Sequence, residues 1–455
     1  MLGKLTATTL LLAAGLIAQQ MTAKPAPATA AKGFTLAAVG DLIQAHPQMA
    51  AGDTAFLPVA QLVQGADVGF GNLENSLLDW HTFPYAPAAE NGGDELNGPP
   101  SIAPDLKKMG FEMLAHANNH DTDWGLAGME ATDKALDTAG LVHAGTGRNL
   151  AAAQAPRYLE THWGRIAVVA TTSSFEPMEA AGAPLGEALG RPGVSTLRTT
   201  LYHLVNQPQF DALRQIYDTQ PERPAHPLPA NIKDFTLFGV HYRLGPAPAL
   251  HYMMNPNDLS EILKGVREGK EDANFEIFYI HCHQPGNWSD PPPDFLRTLA
   301  HSAIDAGADE FVASGPHRLR GIEIYRGKPI FYSLGNFFFE IDDQEVTADT
   351  WMERTHLAPA TTTNQEYEAV HLARSFRGEV WYQSVVAITQ CEHGRLSEIR
   401  LYPIDLGYHR SPADRGVPHL APPAEARVIL ERLQKLSQPF DTQIEIQGSV
   451  GIIRP

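Results

Sequence analysis

Cysteine is nearly absent: Cys282 and Cys391 are the whole complement of a 455-residue chain. That excludes a disulfide framework and any Cys-x-x-Cys metal motif, and two buried free thiols are the expectation. Positive charge is also scarce, with 34 Lys+Arg against 52 Asp+Glu and a net charge of -18, which disfavours a general nucleic-acid-binding surface. Long apolar runs are missing. The stretch 5–18 is shorter than the ~20 residues that span a bilayer, and no later segment is apolar enough. Several catalytic signatures are lacking too. Gly145-Thr-Gly147 has no third glycine of a dinucleotide fingerprint, and there is neither a phosphate-loop Gly-x-x-x-x-Gly-Lys-Ser/Thr nor a Gly-x-Ser-x-Gly elbow. Serine-based hydrolysis is unsupported, and no internal repeat is visible.

What is present fits a folded globular protein: 43% hydrophobic and 8% aromatic residues, in a length that accommodates one elaborated α/β domain or two domains. The N-terminus combines Lys4, a short apolar stretch and a region of small residues, the three parts of a secretory signal, with a permanent membrane anchor as the weaker reading. The Pro/Ala-rich residues 24–31 then read as a flexible leader. Signal and leader together occupy 1–31, a core domain spans 32–345, and 346–455 form a C-terminal extension of hairpin and helix packing on that core.

Strand and helix patterns alternate from residue 34 onward, which argues for α/β. Strands are expected at 34–39, 66–70, 111–116, 141–144, 165–171, 235–241, 275–281 and 311–313, with helices at 124–139, closed by Gly140, and at 295–306, closed by Gly307. Residues 176–233, rich in Gly, Pro and Ala, read as an insertion or lid with helical stretches at 199–205 and 210–217. Hairpins are expected around Arg326-Gly-Lys328 and Glu392-His-Gly-Arg395, and a late helix at 424–436.

Five short runs end or follow the apolar strands: Ala38-Val-Gly-Asp41, Gly71-Asn-Leu-Glu74, Ala117-Asn-Asn-His-Asp-Thr-Asp123, Ile280-His-Cys-His-Gln284 and Gly315-Pro-His317. Carboxylate, amide and imidazole are the donors that divalent transition metals prefer, and strands sharing a sheet would gather them at one edge. Short polar residues at strand ends also cap loops, so Asp41, Asn72 and Glu74 gain weight only together. His281 and His283 would share a face if the strand continued, and Arg318 and Arg320 beside His317 could hold an anionic substrate. His46, His116, His143, His241 and His393 read as structural or surface histidines.

In this order the runs, together with Phe331-Tyr-Ser-Leu-Gly-Asn-Phe-Phe338, resemble the CapA family associated with poly-γ-glutamate capsule formation, over about residues 34–340. That family is similar in fold to calcineurin-like metallophosphoesterases. The resemblance implies an αββα sandwich of two mixed sheets flanked by helices. It implies Asp41, Glu74, Asn119, His281 and His317 as ligands of one or two divalent ions (Mn, Fe or Zn) and His120 as the candidate acid or substrate-binding group; Asp123 is expected to be catalytic with it, and Asn72, His283, Arg318 and Arg320 are expected at the substrate. It further implies an anionic envelope or capsule polymer as substrate and capsule-synthesis membrane proteins as partners. The function expected is that of an exported, periplasmic or cell-envelope hydrolase or transferase; a non-catalytic polymer-binding scaffold and a capsule-unrelated phosphodiesterase are the alternatives. The chain departs from the family where Ser314 stands in place of a histidine and where His281-Cys-His-Gln-Pro285 replaces His-Trp-Gly-x-Glu, with His283 as the nitrogen that would compensate.

Overall fold

A computed structural model of the chain describes residues 33–88, 95–221, 228–345 and 349–455; the expected signal and leader lie outside the described residues. The fold is mixed α/β, with several sheets and flanking helices. In the largest sheet the strand Phe34–Ile43 is central, pairing in parallel with Val68–Leu73, which pairs in turn with Phe111–Ala115 and that with Val142–Ala144. The other edge of Phe34–Ile43 is split. Its first half pairs antiparallel with Gln383–Glu392, and its second half pairs in parallel with Asn336–Phe339. The hairpin Gln383–Glu392/Arg395–Asp405 of the C-terminal region is thus a continuation of this sheet.

The second large sheet aligns Gly164–Thr172, Phe275–His281, Glu310–Ser314 and Lys328–Phe331 in parallel, with antiparallel strands at both edges. Central strands of both sheets are buried along their whole length, which explains why they read as continuous apolar runs without alternation. One apolar cluster draws side chains from both sheets: Phe34 meets Phe275 and Trp163, and Phe70 meets Tyr279. A second cluster packs Leu57–Gln64 and Ile102–Lys108 onto the first sheet, and a third packs Pro256–Asp272 and Asp294–Ala306 onto the second.

Residues 199–241 depart from expectation in two places. Residues 199–205 are not helical but form the strand Thr199–Val205, pairing with Val240–Leu244 and Ala249–Met254; Thr-Thr-Leu-Tyr-His-Leu-Val is rich in β-branched and aromatic residues, and that preference prevails. The strand expected at 235–241 is broken into the hairpin Asp234–Leu237/Val240–Leu244, because Phe238 and Gly239 both take positive φ. The helix expected at 210–217 is present as Gln207–Thr219, starting in a capping box at Asn206. Cys282 and Cys391 are buried free thiols. Among the described residues no helix is long and apolar enough to cross a membrane.

What aims the fold at one edge is a close approach of two glycines. The Asp41 amide donates to the Gly335 carbonyl at 3.0 Å, just where Phe34–Ile43 passes from its antiparallel to its parallel neighbour. A Cβ on Gly40 would lie 1.8 Å from that carbonyl oxygen, and Gly335 itself has φ 71. Gly40→Ala should therefore push the Asn336–Phe339 strand aside and cost more than about 2 kcal/mol in chemical denaturation; an unchanged midpoint would refute the packing described.

Candidate metal centre

Asp41 and Glu74 stand side by side at the ends of neighbouring strands, both completely buried. Asp41 accepts from the Asn72 amide (2.9 Å), from the Gly315 backbone N–H (3.1 Å) and from the Ser314 hydroxyl. Neither carboxylate oxygen of Glu74 has a hydrogen-bond donor. Burial pushes Asp41 up to about 6 despite its donors, and burial and then Asp41 push Glu74 far above the usual carboxylate range. Two adjacent desolvated carboxylates call for positive charge between them.

Three imidazoles face that pair. His281 Nε2 lies 3.4 Å from Glu74 Oε1 and 3.0 Å from His283 Nε2, while His317 Nε2 lies 4.0 Å from Glu74 Oε1. Burial holds His283 down to about 4 and His317 to about 3, and depresses His281 strongly, so all three are neutral bases at pH 7. Their orientation is set from behind. His283 Nδ1–H donates to Asn287 Oδ1 (2.7 Å) and His317 Nδ1–H to Asn336 Oδ1 (2.9 Å), which leaves the Nε2 lone pairs toward the carboxylates. His281 Nδ1 is 3.3 Å from the Tyr279 hydroxyl, which bonds Ser314, which donates to Asp41. Ser314 therefore links Tyr279 to Asp41, and the third imidazole beside His281 and His317 is that of His283.

Asp41, Glu74 and His317 form one group of ligand atoms within 4.8 Å of one another, and Glu74, His281 and His283 form another. Glu74 belongs to both. The donor set, the acceptor-only Glu74 and the fixed tautomers fit two divalent ions with a shared carboxylate. Asn119 joins the second group through its Oδ1, 3.1 Å from His283 Nε2.

The centre opens on a cavity of about 330 Å³ whose lining includes Asn119, His120, His283 and His317. His120 Nδ1 bonds Asp123 Oδ2 at 2.8 Å, and the same oxygen accepts the Leu96 N–H at 2.7 Å, which fixes the pair. Asn118 holds the loop in place, donating to the Leu73 carbonyl and accepting the His120 N–H. The structure does not bring every expected residue here. Asn72 is buried behind Asp41 and contributes its amide to that carboxylate. Arg318 and Arg320, expected at an anionic substrate, do not line the cavity: Arg318 bonds Asp290 and the Trp288 carbonyl, and the fully buried Arg320 donates to the carbonyls of Gln284 and Ser289. Both arginines hold the 284–290 loop that follows His283, because their side chains run back under it rather than out.

Sequence reading missed the opposite wall. His371 and Ser375 of the helix Asn364–Ser375 and Phe376 just after it line the same cavity, and His371 Nδ1 is 3.6 Å from the buried Glu368. The capping box of Thr363 and Glu366 is the signal that could have found this helix. Because Asn287 Oδ1 accepts from His283 Nδ1–H, Asn287→Ala should weaken manganese or zinc binding at the centre by about 10–100-fold, measured by metal titration, while Arg427→Ala, at an exposed pair with Glu431, leaves it unchanged; equal effects would contradict the assignment.

The sequence matches the family described as bacterial capsule synthesis protein PGA_cap over residues 35–341. It is 45% identical over 433 residues to the uncharacterized protein y4sH of Sinorhizobium fredii, covering 93% of each chain. It is also 25% identical over 288 residues to the capsule biosynthesis protein CapA of Bacillus anthracis, covering 63% of this chain and 54% of that one. A relative named probable polyglutamine synthesis accessory protein, from Mycobacterium tuberculosis, is 26% identical over 248 residues, covering 54% of this chain and 49% of its own. With the matched span running from before Asp41 to beyond His317 and so containing every candidate ligand, this chain belongs to the bacterial capsule synthesis protein (PGA_cap) family.

Proposed function

We propose that the chain is an exported, metal-dependent hydrolase or transferase acting on an anionic capsule or cell-envelope polymer of the poly-γ-glutamate type, in concert with capsule-synthesis membrane proteins. The observation that carries this reading is Glu74, shared between two ligand groups at the floor of a cavity that also presents His120. Asp41, Glu74 and His317 would hold one ion, and Glu74, His281, His283 and Asn119 the other. Divalent ions there would supply Lewis-acid activation of a substrate oxygen and lower the pKa of water.

The chain's own residues do the rest. His120, with its Nδ1–H given to Asp123, exchanges a proton with the leaving group through Nε2. Phe175, Phe339 and Phe376 give the cavity apolar walls beside its histidines. With Arg318 and Arg320 turned away, the substrate's negative charge would be met by the ions themselves. The shared apolar cluster between the two large sheets, with helices on their outer faces, supports a metallophosphatase-like αββα sandwich for the core of 32–345, carrying an insertion at about 176–233 and an extension from 346.

Full-length protein loaded with manganese should cleave either short γ-linked glutamyl oligomers or chromogenic phosphodiesters. His120→Ala should lower kcat by about 10²–10⁴-fold with metal content unchanged, whereas Asp41→Ala should lower metal content and activity together. Loaded protein that binds the glutamyl oligomer and turns over neither substrate would replace the enzyme with a polymer-binding scaffold.

A further inference from the structure

A second cluster of ligand-type side chains lies away from the centre, behind the loop that carries Asn119 and His120. His116 directly follows the strand Phe111–Ala115, His143 sits on the neighbouring strand Val142–Ala144, and Asp133 is on the helix Gly125–Ala139. Sequence alone gave His116 and His143 no common setting; the parallel pairing of their strands brings them together. Asp133 Oδ1 lies 2.9 Å from His116 Nδ1 and 3.4 Å from His143 Nδ1, and the three atoms are within 4.8 Å of one another.

We infer that His116, Asp133 and His143 form a separate site for a zinc-class divalent ion, which braces the catalytic loop. Ligands about 2.1 Å from a tetrahedral zinc are about 3.4 Å apart, close to the spacings here. Each imidazole also has a carboxylate at its far nitrogen: His143 Nε2–H donates to Asp137 Oδ1 at 3.3 Å, and His116 Nε2 is 3.0 Å from Asp121 Oδ1. Carboxylates so placed orient histidines that ligate metals. The donation to Asp137 fixes the tautomer of His143, so its buried Nδ1, which has no hydrogen-bond partner, turns a lone pair toward an anionic oxygen. A cation between them resolves that opposition.

Thr146 donates to Asp133 Oδ1 at 2.8 Å and orients the carboxylate, whose side chain, 24% exposed, leaves room for ion entry and for water to complete the coordination. The link to the main centre runs through Asp121. Its Oδ2 accepts the Asn118 N–H at 2.7 Å, and the Asn118 side chain fixes His120. The competing occupant is a proton.

The test is zinc content of the full chain by mass spectrometry, with cobalt absorption as a report of geometry. In protein whose two main ligand groups are both disabled by Glu74→Gln, His281→Gln and His317→Gln, about one zinc per chain should remain, and adding His143→Gln should remove it. In the otherwise unaltered chain, His143→Gln and Asp133→Asn should each lower zinc by about one per chain, which keeps the test decisive if the disabled protein fails to fold. Zinc content indifferent to both substitutions would overturn the site and leave an imidazolium ion pair in its place. Neither result bears on the main centre, whose metal is read separately from Asp41→Ala.

Discussion

Two carboxylates, Asp41 and Glu74, are buried next to each other with too few donors to satisfy them, and much of the surrounding structure answers that one electrostatic demand. Partial answers come from the protein: the Asn72 amide, the Ser314 hydroxyl and the Gly315 amide all serve Asp41. None serves Glu74. Neutral imidazoles supply lone pairs, not positive charge, so His281, His283 and His317 stand beside the carboxylates as candidate ligands rather than as salt-bridge partners. An ion pair built into the same place would have used lysine or arginine, and the two nearby arginines instead support backbone.

The fold delivers these groups from strands of two different sheets. Asp41 and Glu74 come from the first, and His281, Ser314 and His317 from the second or the turn after it. Both sheets are parallel around the site, so the strand ends that carry loops lie at the same edge. The approach of Gly40 to Gly335 brings Asn336 behind His317, which explains why the Tyr-Ser-Leu-Gly-Asn-Phe run, far from any ligand in sequence, belongs to the same apparatus. The helix Asn364–Ser375, beyond the span matched by the family, adds a wall to the cavity.

Much of this was legible in the sequence, for identifiable reasons. Strands buried on both faces are continuous apolar runs, and the polar residues that end them are conspicuous by contrast, so Asp41, Glu74, Asn119, His120, His281 and His317 could be picked out before their geometry was known. Residues acting from behind were not legible. Tyr279, Asn287 and Asn336 are ordinary residues until the partner across the fold is seen, and no local pattern states that His116 and His143 lie on neighbouring strands. The arginines misled because a charge beside a histidine suggests ligand binding, whereas only burial reveals that Arg320 holds a loop. The Thr199–Val205 segment misled for another reason: its apolar spacing suits a helix as well as a strand, and pairing with Ala249–Met254 decides.

The sharing of Glu74 is the feature on which the functional reading rests, and it has a direct spectroscopic consequence. Two manganese ions bridged by one carboxylate are magnetically coupled, whereas ions bound apart are not. Electron paramagnetic resonance of the full chain titrated with manganese should show an exchange-coupled signal that grows on filling and disappears in Glu74→Gln. Only the signal of isolated manganese at every loading, unaltered by Glu74→Gln, would contradict the shared centre.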